Sequence, residues 1–141
     1  AIVDGAVSRK ILKDILRLKP HKFSSLEKIV HPLVASDRAA FIKYKKDAIV
    51  VLDIPLLFEV GENRNVDLVV CVVTNKTTQK QRVLAREDMT ETELSMILAK
   101  QMPIEEKMKK SDFVIKTDNL EETKKQVFKV LKEIRVRQKN A

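Results

Sequence analysis

The chain has 141 residues, 44% of them hydrophobic, which suffices for one domain with a core and excludes wholesale disorder. Two Gly and four Pro are too few for an all-β protein built on many tight turns. A net charge of +8 favours anionic partners (nucleotides, nucleic acid, phosphorylated metabolites or a membrane surface), or else marks lysine-rich helix faces that are simply solvated.

Apolar residues at helical spacing predict a helix from Ser8 to about Lys19, with Ser8 as N-cap. Pro20 ends it. Ser24 or Ser25 is read as the cap of a second helix, whose stripe runs Leu26, Ile29, Val30, Leu33 and Val34. Pro32 is expected to bend or divide that helix, and helical pattern resumes over Asp37–Lys46. Ala48–Leu52 and Asp67–Thr74 are short, apolar and β-branched, as in strands buried on both faces of a parallel sheet. The intervening PLLFEVGENRN has room for a short helix and a loop. A charged helix over Thr77–Glu87 follows, then one capped by Thr90 with Glu93 at the capping-box position, running to about Gln101. Phe113–Lys116 reads as a third strand. Asp118 or Asn119 then caps a last helix with Val127, Val130, Leu131 and Ile134 on its apolar face. The order predicts an α/β fold with a parallel sheet and an all-helical portion before it.

Several classes of function are poorly supplied. Aromatic content is 4% with no Trp, so base-stacking platforms are scarce, and the cations are scattered among 20 acids; no nucleic-acid partner is expected. Cys71 alone makes no internal disulfide and no Cys-rich zinc site, and its apolar neighbours read as a buried strand. Two histidines are too few for a His-rich metal cluster. No apolar run approaches membrane-spanning length and no signal peptide is visible, so a cytoplasmic protein without a membrane partner is expected. Nothing in the sequence fixes an oligomeric state.

The chemistry gathers at a few positions. Asp53 ends an apolar run in IVVLDIPLLFE, the form of a Walker-B aspartate that helps to hold Mg²⁺ beside nucleotide phosphates; the plainer reading is a cap or loop residue. PLLFE puts large apolar side chains and a carboxylate at the same sheet edge, either a wall for a partly apolar ligand or a turn folded onto the core. Arg82 and Arg86 lie four apart on one helix face and can clamp phosphate, or can be a solvated pair near Glu87 and Asp88. His31 beside an apolar stripe reads more readily as structural than catalytic.

Several segments together resemble the dephospho-CoA kinase family. They are DGAVSRKIL (Asp4–Leu12), LEKIVHPLV (Leu26–Val34), VVLDIPLLFE (Val50–Glu59), the Arg82/Arg86 pair with its spacing to Gln101-Met102-Pro103, SDFVI (Ser111–Ile115) and LEETKKQV (Leu120–Val127). The resemblance implies ATP-dependent phosphorylation of the 3′-hydroxyl of dephospho-CoA, the last step of coenzyme A biosynthesis, with Mg²⁺. It implies a P-loop-kinase-like parallel sheet missing its first strand, with a helical substrate-binding part and a helical lid. Residues 1–47 would be the CoA-binding part and 48–141 the rest of the nucleotide-kinase core, with the lid at about 82–110. Asp53 would be the Walker-B-like catalytic residue and an indirect Mg²⁺ ligand. Arg82 and Arg86 would reach the ATP phosphates. His31, Leu56, Leu57, Phe58 and Glu59 would border dephospho-CoA.

The chain departs from that pattern in one respect that bears on activity. Its glycines are Gly5 and Gly61, so no GxxxxGK(S/T) loop is present to cradle phosphates with backbone N–H groups, and the family's DxD segment is absent too. Both would precede Asp4, and the chain opens AIVDGAVSRK without Met. An N-terminally truncated chain is therefore expected, marginally stable and inactive alone. The alternative is a non-catalytic module that binds CoA-like ligands or anions. After Phe113–Lys116, KTDN is shorter than the family's segment and lacks its Gly, which leaves adenine contacts at Thr117 or Asn119 unassigned.

Overall fold

The structure is a computed structural model that describes residues 1–45, 49–86 and 89–140. Its elements run β1 (Ile2–Val3), β2 (Ala6–Val7), α1 (Arg9–Leu18), α2 (Lys22–Lys43), a 3₁₀ helix (Glu62–Asn65), β3 (Val70–Val73), α3 (Lys76–Leu84), α4 (Glu91–Lys100), α5 (Ile104–Lys109), β4 (Phe113–Lys116) and α6 (Leu120–Lys139). The mixed α/β composition agrees with expectation. The chain divides into two compact units, residues 1–53 and 54–141.

The first unit opens with a hairpin. β1 and β2 pair antiparallel, Ile2 with Val7 and Val3 with Ala6, around Asp4 (φ 50°) and Gly5 (φ 78°). Positive φ at both central residues is the demand of a type I′ turn, which Asp-Gly meets at little steric cost. Ser8 caps α1 by accepting from the Ile11 N–H. The expected cap at Ser24 or Ser25 is not used. The chain winds into α2 straight from Pro20, with Lys22 N–H donating to the Lys19 carbonyl and Phe23 N–H to the Pro20 carbonyl. Nor does Pro32 divide the helix: α2 is continuous for 22 residues. A proline removes one hydrogen bond of the ladder, and the turns on either side carry the helix through. The first part of the Asp37–Lys46 pattern is the end of this same helix, which stops at Lys43; Tyr44 and Lys45 follow it, and Lys46 lies outside the described residues. No residue of α1 or α2 is fully buried.

The strand expected at Ala48–Leu52 is not formed among the described residues: Ile49–Leu52 lie in no strand. A strand exists only by pairing, and the apolar β-branched run finds no ladder here. Ala48 lies outside the described residues.

In the second unit, Pro55–Gly61 makes a helical turn closed in the Schellman manner. Glu62 N–H donates to the Leu57 carbonyl, Gly61 N–H to that of Phe58, and Gly61 sits at φ 74°. β3 and β4 pair in parallel, Val70 with Phe113 through Val73 with Lys116. Asp112 locks the start of that ladder by accepting from the Val69 N–H at 2.8 Å. α6 packs on β4 and α5 on β3. Asn75, Thr90 and Asn119 cap α3, α4 and α6, Thr90 through a complete capping box with Glu93. Among the described residues the buried apolar ones are Val69, Cys71, Leu94 and Ile115, all in this unit.

Candidate functional site at the carboxyl rim of the parallel strands

The loops after β3 and β4 meet at one carboxylate. Asp118 Oδ1 accepts from Thr74 Oγ1 at 2.6 Å, from Asn75 N–H at 3.2 Å and from Asn75 Nδ2 at 3.1 Å. Those donors, the Thr74 hydroxyl first, hold the Asp118 carboxyl below its ordinary range, with the Arg82 charge adding to them. Thr117 continues the β3–β4 ladder, its N–H and its hydroxyl both donating to the Val73 carbonyl. Onto this rim folds Arg82, from the last turn of α3. Its Nη2 donates to the Thr117 carbonyl at 2.7 Å and its Nη1 to Thr117 Oγ1 at 3.3 Å. Short βα loops, with Asn75 and Asn119 as the helix caps, set the helices behind the rim.

A second constellation ties the Pro55–Gly61 turn to the α4–α5 connection. Glu59 Oε1 accepts from Met102 N–H at 2.9 Å and pairs with Lys107 Nζ at 2.7 Å, both side chains being about 15% exposed. Burial pushes the Glu59 carboxyl up, but the Lys107 ammonium and the backbone N–H groups outweigh it and hold the group below its ordinary value. Glu59 Oε2 is buried and accepts no hydrogen bond among the described residues. Burial pushes the nearby Cys71 thiol up, against the Lys107 charge and a hydrogen bond with Ser111, and Cys71 is a buried residue of β3, as its apolar neighbours predicted.

The sequence-predicted residues fall as follows. Arg82 is on the carboxyl rim; Arg86 is exposed just past α3, and its neighbours Glu87 and Asp88 lie outside the described residues. Leu56 is exposed, while Leu57, Phe58 and Glu59 are half-buried on the one helical turn. Asp53 is exposed at the end of the first unit, and His31 is exposed within α2. Sequence reasoning missed Thr74, Asn75 and Asp118 as a group. A signal existed, since TN and TDN directly follow the two strands that pair. Nothing in the sequence announces the Glu59–Lys107 pair, whose members lie far apart in the chain.

A two-stranded parallel ladder with helices on it and polar loops at its carboxyl rim is the arrangement of an α/β ligand-binding core. The solved structure of TT1252 from Thermus thermophilus superposes with a TM-score of 0.76 at 28% identity, covering 93% of this chain and 69% of that one. The dephospho-CoA kinase family model matches residues 2–123. The chain is 50% identical over 135 residues to the dephospho-CoA kinase of Ruegeria pomeroyi, covering 96% of this chain and 68% of that relative. It is 46% identical over 138 residues to that of Rhizobium etli, at 95% and 68% coverage. The chain belongs to the dephospho-CoA kinase family, ATP-using transferases of coenzyme A biosynthesis.

Proposed function

We propose that these residues supply the substrate-binding and lid portions of a kinase that phosphorylates the ribose 3′-hydroxyl of dephospho-CoA with ATP. The observation that carries this reading is the Arg82 guanidinium seated at the carboxyl rim of β3 and β4, where parallel α/β folds receive ligands. From that edge Arg82 and Arg86 offer paired N–H donors to the ATP phosphates and neutralise the charge that develops on their oxygens. Residues at about 82–110 act as the lid. Residues 1–47, with His31, bind dephospho-CoA, and Leu56, Leu57 and Phe58 wall it. Glu59 borders it too and fixes the turn through Met102 and Lys107.

Asp53 would help to hold Mg²⁺, which would supply charge neutralisation to the ATP phosphates. Asp53 fits it: an exposed carboxylate is the hard oxygen donor Mg²⁺ takes, and the ion keeps water and phosphate as its other ligands. Among the described residues no group of three or more His, Cys, Asp or Glu is placed to hold a metal ion by itself.

The 141 residues hold no GxxxxGK(S/T) loop, so by themselves they cannot cradle the transferred phosphate. The chain alone is thus a binder of dephospho-CoA and not a catalyst. Calorimetric titration with dephospho-CoA, beside a product assay with ATP and Mg²⁺, tests this. Binding that weakens in His31→Ala, with no phosphorylated product, is expected. Product formation would refute the inactivity, and failure to bind dephospho-CoA would refute the substrate-site assignment.

A further inference from the structure

α6 packs one face on β4 and turns the opposite face outward. The packed side carries Thr123, Val130, Ile134 and Arg137, the last with its guanidinium 5.0 Å from the Phe113 ring centroid. The outward side carries Phe128, 70% exposed, and Val136, 52% exposed. These two share that outward side with Leu131 and the stems of Lys132, Arg135 and Lys139. Charge is strongly one-sided here: from Thr123 to Asn140 the helix has seven cations and a single acid, Glu133. The acids of its first turn are engaged locally, Glu121 with Lys124 and Glu122 with Lys125. Among the described residues, no acid pairs with Lys129, Lys132, Arg135 or Lys139.

We propose that the outward face of α6 is a docking surface for an anionic lipid bilayer, on which the helix lies flat while its other face stays on β4. The charge complementarity requires a negative partner. The apolar side chains choose among negative partners: an exposed Phe and Val set between lysines and arginines suit the boundary between headgroups and acyl chains, with the long cationic side chains reaching up to the phosphates. The phosphate backbone of a nucleic-acid duplex rewards the cations alike but gives Phe128 and Val136 little to bury. Spanning a membrane and lying on one are different physical cases. No helix among the described residues is long and apolar enough to span, and α6 has the features of the second case. This docking is independent of the kinase reading.

The chain has no Trp, so Phe128→Trp makes a single reporter at the proposed contact. The 141-residue chain is mixed with vesicles of phosphatidylcholine alone, or with a third of phosphatidylglycerol, and with a DNA duplex as competitor. Expected results are binding and a blue-shifted emission with the anionic vesicles only, both lost on raising salt. Lys132→Gln with Arg135→Gln should weaken vesicle binding roughly 30-fold, at about 1 kcal/mol per cation near an anionic surface. Phe128→Ser should weaken it further with the far-UV circular dichroism unchanged. The proposal is overturned by equal binding to both vesicle types, by no binding, by an unshifted emission, or by duplex competing fully with Phe128→Ser binding as well as the parent.

Discussion

Residues 1–53 and 54–141 are held together by different means. Among its described residues the first unit is helix and hairpin with no buried apolar residue, and its order rests on local hydrogen bonds such as the Ser8 cap. The second is cross-tied by bonds between residues more than forty apart, Val69 to Asp112, Thr74 to Asp118 and Met102 to Glu59. Helices without tertiary cover are marginal in water, whereas a small core with long-range ties unfolds as a unit. The unit that carries Arg82 is therefore the one whose geometry is best fixed. The unit proposed to meet the substrate with His31 gains most from a ligand.

That contrast is open to direct attack. Ile115 is 6% exposed at the centre of β4. Ile115→Ala should cost about 2–5 kcal/mol and lower the urea midpoint of the second unit, leaving the helical signal of residues 1–53 in place. If both units melted together and earlier, they would not be independent. Pro32→Ala should work in reverse, restoring one bond of the α2 ladder and raising helix stability by up to about 3 kcal/mol, read as circular dichroism against temperature. Glu59→Gln leaves Lys107 without its counter-charge and should cost about 1–3 kcal/mol. The parent should also show an acid-side loss that the variant lacks. Because the folded Glu59 carboxyl titrates below its ordinary value of 4.5, its contribution is complete above that pH and vanishes as pH falls through the lower folded value. Thr90→Ala removes the α4 cap and should cost about 1 kcal/mol, with faster amide exchange confined to the first turn of α4.

The legible parts of the fold were those with a local cause. β4 was readable to the residue because FVIK is apolar, β-branched and bounded by polar residues. The Thr90–Glu93 box and the Asn119 cap were readable because capping is a contact between neighbours in sequence. The β1–β2 hairpin escaped because two-residue strands have no period to detect; only Asp4-Gly5 hinted at it. IVVL in residues 49–52 looked like a strand and is not one here, since strand formation depends on a partner that local sequence does not specify. At the site, Arg82 was flagged by its pairing with Arg86, but its seat on Thr117 is a consequence of the β3–β4 register. Asp118 was weighed only as a helix cap, and the structure gives that task to Asn119 and uses Asp118 to join two loops.

The parallel register of β3 and β4 has a consequence for biosynthesis. Val70 must wait for Phe113, its partner in the ladder, to be made. At roughly 5–20 residues per second, that interval lasts on the order of 2–9 s. Throughout it the nascent chain carries VVCVV, five apolar residues with neither proline nor charge, unpaired. Such a window is the kind that associates between chains. Slow synthesis should therefore cost more soluble protein here than in a chain whose strands pair through a tight hairpin, and a charge placed at exposed Val72 should recover part of that yield.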